Sequence, residues 1–161
     1  MIRVATTDDA ADICDIYNHY VLETPITFEE HPVVPGEMAK RIQEISASLP
    51  WLIFRDNNEV LGYSYASPWR DRSGYRYSVE ASVYLRSATV GKGIGSRLYE
   101  ALLCELRERQ FHTVIGGIAL PNPASVALCE KFGFEKVAHF KKVGYKFGQW
   151  IDVGYWQLTI S

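Results

Sequence analysis

An α/β fold built on a mixed central sheet is predicted by three features of this sequence. Segments with a helical repeat alternate with segments of strand character along most of the chain. A glycine-rich turn joins a long strand candidate to a strong helix candidate, and the last two strand candidates follow one another as a hairpin. Alternation closed by a hairpin fits neither a helix bundle nor a barrel.

Taken in order, Ile2 to Ala5 is a short strand candidate, and Thr6 with Asp9 three residues on forms a capping box. Ile13, Ile16, Tyr17, Tyr20 and Val21 then recur at helical spacing. Pro25, Pro32 and Pro35 break the chain into an irregular segment, after which a second helix is expected from Pro35 towards Ala47, with Met38, Ile42 and Ile45 inward. Trp51 to Arg55 and Val60 to Ser67 read as strands joined by a turn at Asp56-Asn57-Asn58-Glu59. A polar loop over 68–74 carries Arg70, Asp71 and Arg72. A long strand follows from Tyr75 to Leu85, with Val79, Ala81, Val83 and Leu85 on one face and Glu80, Ser82 and Tyr84 on the other. A helix is expected from Ile94 to Arg109, with Ile94, Leu98, Ala101, Leu102 and Leu106 inward. A strand from Thr113 to Ala119 comes next. Asn122 and Pro123 open a short helix that Gly133 stops. Strands near 136–145 and 153–160 complete seven strands and four helices.

The chain is 47% hydrophobic and 13% aromatic, too apolar for disorder. Its 161 residues are expected to form one domain over 1–161. A formal net charge of -2 gives no field to gather nucleic acid or an anionic membrane, so neither is an expected partner. The first residues lack the apolar run of a signal peptide, and no stretch approaches a membrane span. Cys14, Cys104 and Cys129 are odd in number and widely spaced, which fits reduced thiols and a cytoplasmic location. The four histidines show no ligand spacing, and no metal is expected.

Val90-Gly91-Lys92-Gly93-Ile94-Gly95-Ser96 lies between a strand and a helix. Glycines there leave backbone N–H groups unshielded, and the helix N-terminus adds partial positive charge, so the turn can cradle phosphate. It can equally be a tight turn without a ligand. A dinucleotide fingerprint fails because Ser96 stands at its third glycine. A Walker loop fails because Arg86 stands at its first glycine and Gly93 follows Lys92. Glu80, mid-strand among apolar residues, is either a solvent-facing carboxylate or a base whose pKa burial raises. Arg70 and Arg72 are either solvated loop residues or a clamp for an anionic oxygen group.

Val90-Gly91-Lys92-Gly93-Ile94-Gly95 resembles the Q/R-x-x-G-x-G/A signature of the GNAT superfamily of acetyl-CoA-dependent N-acetyltransferases, departing at Val90. Leu120-Pro121-Asn122 and Ser125 to Phe134 look like that family's second CoA-contacting helix. A narrower resemblance covers nearly the whole chain. Ile16-Tyr17-Asn18-His19-Tyr20, Thr27-Phe28, Pro68-Trp69-Arg70, Val79-Glu80-Ala81-Ser82-Val83-Tyr84 and Asp152 to Gln157 are similar to the phosphinothricin acetyltransferase group. That group includes methionine sulfoximine and methionine sulfone acetyltransferases.

The resemblance implies the GNAT fold and transfer of the acetyl group of acetyl-CoA to the amine of a small amino-acid-like substrate. It implies Glu80 as general base and backbone N–H groups of Val83, Tyr84 and Leu85 facing the thioester oxygen. Gly91, Lys92, Gly93, Ile94, Gly95 and Ser96 would hold the pyrophosphate, and Asn122 and Lys131 would add contacts. Phe28, Arg70, Asp71, Arg72, Glu80, Ala81 and Ser82 would surround the acceptor. Many relatives carry Tyr or His where this chain has Cys129, so the proton for the departing thiolate is expected from Cys129, Tyr84 or a water; Cys129 can equally be a buried filler. Trp150, Tyr155 and Trp156 are assigned to the core or a subunit interface, and the relatives imply a homodimer. Two other functions share these features, a non-catalytic acyl-CoA-binding sensor and a protein N-terminal acetyltransferase.

Overall fold

The computed structural model describes all 161 residues, and its order of elements matches the expected alternation. Strand β1 spans Ile2–Val4, helix α1 Ala10–Glu23, helix α2 Pro35–Ser46, strand β2 Trp51–Asp56 and strand β3 Glu59–Pro68. Strand β4 covers Ser78–Leu85, helix α3 Ile94–Glu108, strand β5 Thr113–Leu120, helix α4 Pro123–Lys131, strand β6 Glu135–Lys146 and strand β7 Gln149–Thr159. The seven strands form one sheet in the order β1-β2-β3-β4-β5-β7-β6. Only the β4–β5 pair is parallel.

Local chemistry explains most boundaries. Thr6 and Asp9 form the capping box, and Asp9 also takes two hydrogen bonds from the Arg3 guanidinium at 2.9 and 2.8 Å. This ties β1 to the start of the first helical segment. Asn57 and Asn58 both adopt positive φ, 49° and 64°, as the tight β2–β3 turn requires. Asn122 caps α4, its side chain accepting from the Ser125 amide at 3.2 Å, with Pro123 at the first helical position.

Two expected boundaries move. The segment from Ser73 to Tyr75 is a 3₁₀ turn, so β4 begins at Ser78 and not at Tyr75. Strand β7 begins at Gln149, four residues before the expected start, because Phe147 and Gly148 at φ 53° and 72° turn the chain sharply after β6. Aromatic content at Trp150 hid this start, since Trp suits a strand and a loop alike.

The sheet is covered on both sides. Helices α1 and α2 bury Ile13, Ile16, Val21, Met38 and Ile42 against Trp51, Ile53 and Tyr63. Helix α3 buries Leu98, Leu102, Leu103 and Leu106 against the opposite face, where Leu52, Phe54, Val79 and Val114 lie. Strand β4 obeys the period of two: Val79 and Ala81 join the α3 side, and Tyr84 packs on the α1 side. Leu102 has no exposed surface. Leu102→Ala should destabilise the fold by about 2–5 kcal/mol, measured by urea unfolding.

Candidate active site

The parallel pairing of β4 with β5 is short. It joins Ser78 to Thr113, Val79 to Val114 and Glu80 to Ile115, and then stops. Beyond this point β4 stays paired with β3 as far as Leu85, and β5 stays paired with β7 as far as Leu120. The two inner edges therefore separate while both outer edges hold. A gap opens in the middle of the sheet.

The hydrogen-bond alternation fixes which backbone groups face this gap. Trp69 N–H donates to the Ser78 carbonyl, and Arg86 N–H to the Leu61 carbonyl, so even-numbered residues of β4 bond to β3. Val83 and Leu85 turn their N–H and C=O groups towards the gap, whereas the Tyr84 amide faces β3. The Leu85 carbonyl accepts from the Tyr20 hydroxyl of α1.

The gap is a cleft of about 80 Å³ that includes Ala81, Ser82, Gly116, Gly117, Tyr99, Asn122 and Cys129. It shares Val83, Tyr84, Asn122, Ser125 and Leu128 with a larger cleft of about 480 Å³ running out to the glycine turn. Gly91, Gly93, Gly95, Ser96 and Lys131 line that outer part, with Leu85 between. Gly91 and Gly93 have φ values of +87° and +81°, and no atom lies within 4 Å of where a side chain would start. The first N–H groups of α3 have no partner within the helix, and no side chain caps them. Lys131 reaches from the last turn of α4 to donate to Ser96 Oγ at 3.0 Å. A cation, free amides and open space over glycine suit the phosphates of a nucleotide cofactor. Lys92 is exposed beside this cleft, and the Ile94 side chain is buried in the core.

Glu80 sits on the last paired rung before the gap. A Cβ added at Gly117 would lie 3.2 Å from Glu80 Oε2 and 3.0 Å from the Tyr155 ring, so Gly117 leaves room for both side chains. The Glu80 carboxyl is pushed above its ordinary pKa by burial, with no charged or hydrogen-bonding group offsetting the effect. Tyr155 packs edge-on against Trp69 at 5.6 Å, and the Arg70 guanidinium lies over the Trp69 ring at 5.0 Å. Arg70 is thereby linked to Glu80 through two aromatic rings.

The remaining expected residues are more dispersed. Arg70, Asp71 and Arg72 line a separate cleft of about 360 Å³ with Ser48, Leu49, Val79 and Phe111, which opens on the α3 side of β4. The Phe28 ring packs on Gly144 of β6. The Tyr84 ring is held by Tyr17, Tyr20 and Tyr63. Cys129 is buried with its Sγ 3.8 Å from the Tyr99 hydroxyl, and burial raises the thiol pKa. Of the aromatics assigned to core or interface, Trp156 is buried, Trp150 is exposed, and Tyr155 stands beside Glu80. No group of three or more His, Cys, Asp or Glu side chains could hold a metal ion, and no helix is long and apolar enough to cross a membrane.

Sequence reasoning missed Tyr155, Tyr99, Ile26 and the Gly116-Gly117 pair. Consecutive glycines inside a strand were a usable signal, because they mark a close approach by other groups. Ile26 lines both clefts and is held there by Lys146. That buried lysine donates to the carbonyls of Thr24 at 2.7 Å and Thr27 at 2.8 Å, on either side of Ile26.

Known proteins resemble this chain over nearly its whole length. The acetyltransferase (GNAT) domain family matches residues 2–154. The chain is 38% identical over 156 residues to the phosphinothricin N-acetyltransferase of Streptomyces viridochromogenes, covering 97% of this chain and 85% of that one. It is 37% identical over 161 residues to the L-methionine sulfoximine/L-methionine sulfone acetyltransferase of Salmonella typhimurium, covering 99% and 94%. The crystal structure of a phosphinothricin acetyltransferase from Sinorhizobium meliloti in complex with acetyl-CoA superposes with a TM-score of 0.96 at 36% identity, covering 99% and 87%. A split sheet with a glycine-lined turn before α3, and a domain match over nearly the whole length, have one reading: this chain belongs to the GNAT acetyltransferase family.

Proposed function

We propose that the chain transfers the acetyl group of acetyl-CoA directly to the amine of a small amino-acid-like acceptor of the phosphinothricin or methionine sulfoximine type, with Glu80 as general base. The observation that carries this reading is the half-buried, unpartnered Glu80 carboxyl beside Gly117, on the last rung before the gap. Acetyl-CoA supplies an acetyl group activated as a thioester, and only an uncharged amine can attack it. A carboxylate with a raised pKa is a better proton acceptor than an ordinary one, and Glu80 takes the amine proton. The α3 N-terminus, with Gly91, Gly93 and Lys131, holds the pyrophosphate. The N–H groups of Val83 and Leu85 hydrogen-bond along the gap and meet the thioester oxygen. Arg70 binds the acceptor's anionic oxygen group, with Tyr155 and Trp69 as apolar wall.

We further infer a homodimer. Val137, Phe140, Val143, Tyr145, Phe147 and Trp150 are each more than half exposed on the β6–β7 hairpin, which forms one edge of the sheet. Exposed apolar side chains concentrated in one hairpin suit a subunit contact. Phe140 also packs on Tyr155 at 5.7 Å, so a partner seated there adjoins the Glu80 region.

Four outcomes test these assignments. Glu80→Gln should bind acetyl-CoA within about twofold of the parent by calorimetry, yet lose ~10²-fold or more in kcat at neutral pH, the loss shrinking as pH rises. The same variant gives a stability signature. A carboxyl whose pKa is raised by folding favours the fold most when protonated, and that contribution is lost as pH rises through its folded pKa. Glu80→Gln should therefore gain Tm relative to the parent as pH rises above about 4. Equal turnover by both proteins would remove Glu80 as base.

Arg70→Ala should raise KM for phosphinothricin or methionine sulfoximine about tenfold to a hundredfold, the loss of a charge-assisted contact, with KM for acetyl-CoA little changed. Steady-state kinetics against both substrates checks this, and a panel of other amino acids defines the acceptor class. Sedimentation should find the parent protein dimeric and Trp150→Glu/Phe147→Glu monomeric; a parent monomer at micromolar concentration contradicts the interface.

A further inference from the structure

Acyl transfer from a thioester leaves a sulfur that must take up a proton. Cys129 lines the inner cleft, and it is a short side chain. The structure brings a longer one to the same spot from a different helix. Tyr99 of α3 extends beneath β5 with its hydroxyl 3.8 Å from Cys129 Sγ. Its ring is fixed by stacking on Phe132 at 5.5 Å and by an edge contact with Phe134 at 5.5 Å.

Gly116 makes this position reachable from the gap. A Cβ built there would lie 3.2 Å from Cys129 Sγ and 3.6 Å from the Tyr99 hydroxyl. The next residue, Gly117, faces the other side of the sheet, where its Cβ would meet Glu80. The Gly116-Gly117 pair therefore stands between Glu80 on one face and the Tyr99 hydroxyl on the other. Both glycines and Tyr99 line the inner cleft.

We propose that Tyr99 is the proton donor to the thiolate released in acetyl transfer. This rests on reading the gap as the acetyl-CoA site. Glu80 takes a proton from the attacking amine on the α1 face. Tyr99 delivers its hydroxyl proton, on the α3 face, to the sulfur that receives the electron pair of the breaking carbon–sulfur bond. The phenolate regains a proton from solvent, and Glu80 releases its own to solvent, so the proton count closes. Burial holds the Tyr99 phenol well above its usual pKa, so the hydroxyl keeps its proton until a sulfur anion forms beside it. Tyr84, the other tyrosine of the gap, has its ring among Tyr17, Tyr20 and Tyr63 on the Glu80 face, away from Cys129.

The test is Tyr99→Phe, which keeps the ring and its stacking and removes only the hydroxyl. Two readouts are needed. The first is kcat under saturating acetyl-CoA and acceptor, expected to fall ~10²-fold. The second does not depend on turnover: the thiol of bound CoA is titrated by its thiolate absorbance in parent and variant. A donor beside the sulfur stabilises the thiolate, so the bound thiol should titrate at higher pH in Tyr99→Phe than in the parent. Unchanged kcat overturns the inference, and so does a fall in kcat with an unshifted thiol titration, which would make Tyr99 a packing residue. A shift in Cys129→Ala and not in Tyr99→Phe would give the role to the thiol and likewise overturn it. Calorimetry separates this from failure of the site itself: a parent protein that does not bind acetyl-CoA removes the cleft reading, and with it the inference.

Discussion

Three rungs of parallel pairing between β4 and β5, followed by their separation, control the architecture of this protein. Backbone N–H and C=O groups inside a sheet are costly to leave without partners. A sheet that opens in its middle exposes two inner edges, and each needs a substitute for the strand it has lost. The outer pairings with β3 and β7 keep both strands straight enough to stay open. Part of the debt is met internally, since the Tyr20 hydroxyl satisfies the Leu85 carbonyl. The rest is a preformed row of donors and acceptors, which an extended polar arm can complete as a strand would. The candidate site is thus a defect in the sheet, placed at its centre and walled by helices on both sides.

The same opening explains why the candidate functional side chains gather around Gly116 and Gly117. Above the last rung, side chains of β4 and β5 no longer crowd one another, and glycine at 116 and 117 widens the space further. The Glu80 carboxyl lies beside Gly117 on the α1 face, and Tyr99 with Cys129 lines the space from the α3 face. Burial raises all three pKa values for the same reason, because each group is withdrawn from water with no counter-charge close by.

The rim is held by contacts between distant segments. Lys146, at the end of β6, is buried and binds the carbonyls that follow α1. Arg41 of α2 binds Glu29 at 2.6 Å, and Tyr17 donates to the same carboxylate at 2.8 Å. Burial alone would raise the Glu29 pKa, but these two donors hold it below the usual value. The segment from Thr24 to Glu29, irregular because of its proline, is therefore fixed by charge and hydrogen bonding in place of regular structure. Ile26 is held in this way against both clefts.

The amino-acid sequence by itself determined the local elements: the Thr6–Asp9 capping box, the asparagine turn at 57 and 58, the Asn122-Pro123 helix start, and the glycine turn before α3. It also determined which face of β4 carries Glu80, because a strand alternates its side chains with period two. Each of these rests on interactions within a few residues. Tertiary structure alone decided where β4 and β5 part, since the paired residues lie 35 positions apart and no local pattern records the end of a parallel ladder. It alone brought Tyr99, which the helical pattern does not single out, to the gap, and set Tyr155, expected in the core or an interface, beside Glu80. It also set Arg70, Asp71 and Arg72 along a cleft on the opposite side of β4, because the 3₁₀ turn at Ser73–Tyr75 redirects the loop, and left only the Arg70 guanidinium, over the Trp69 ring, linked back towards Glu80. Periodicity reports the side on which a residue lies, and only the packing of distant strands and helices determines what it meets there.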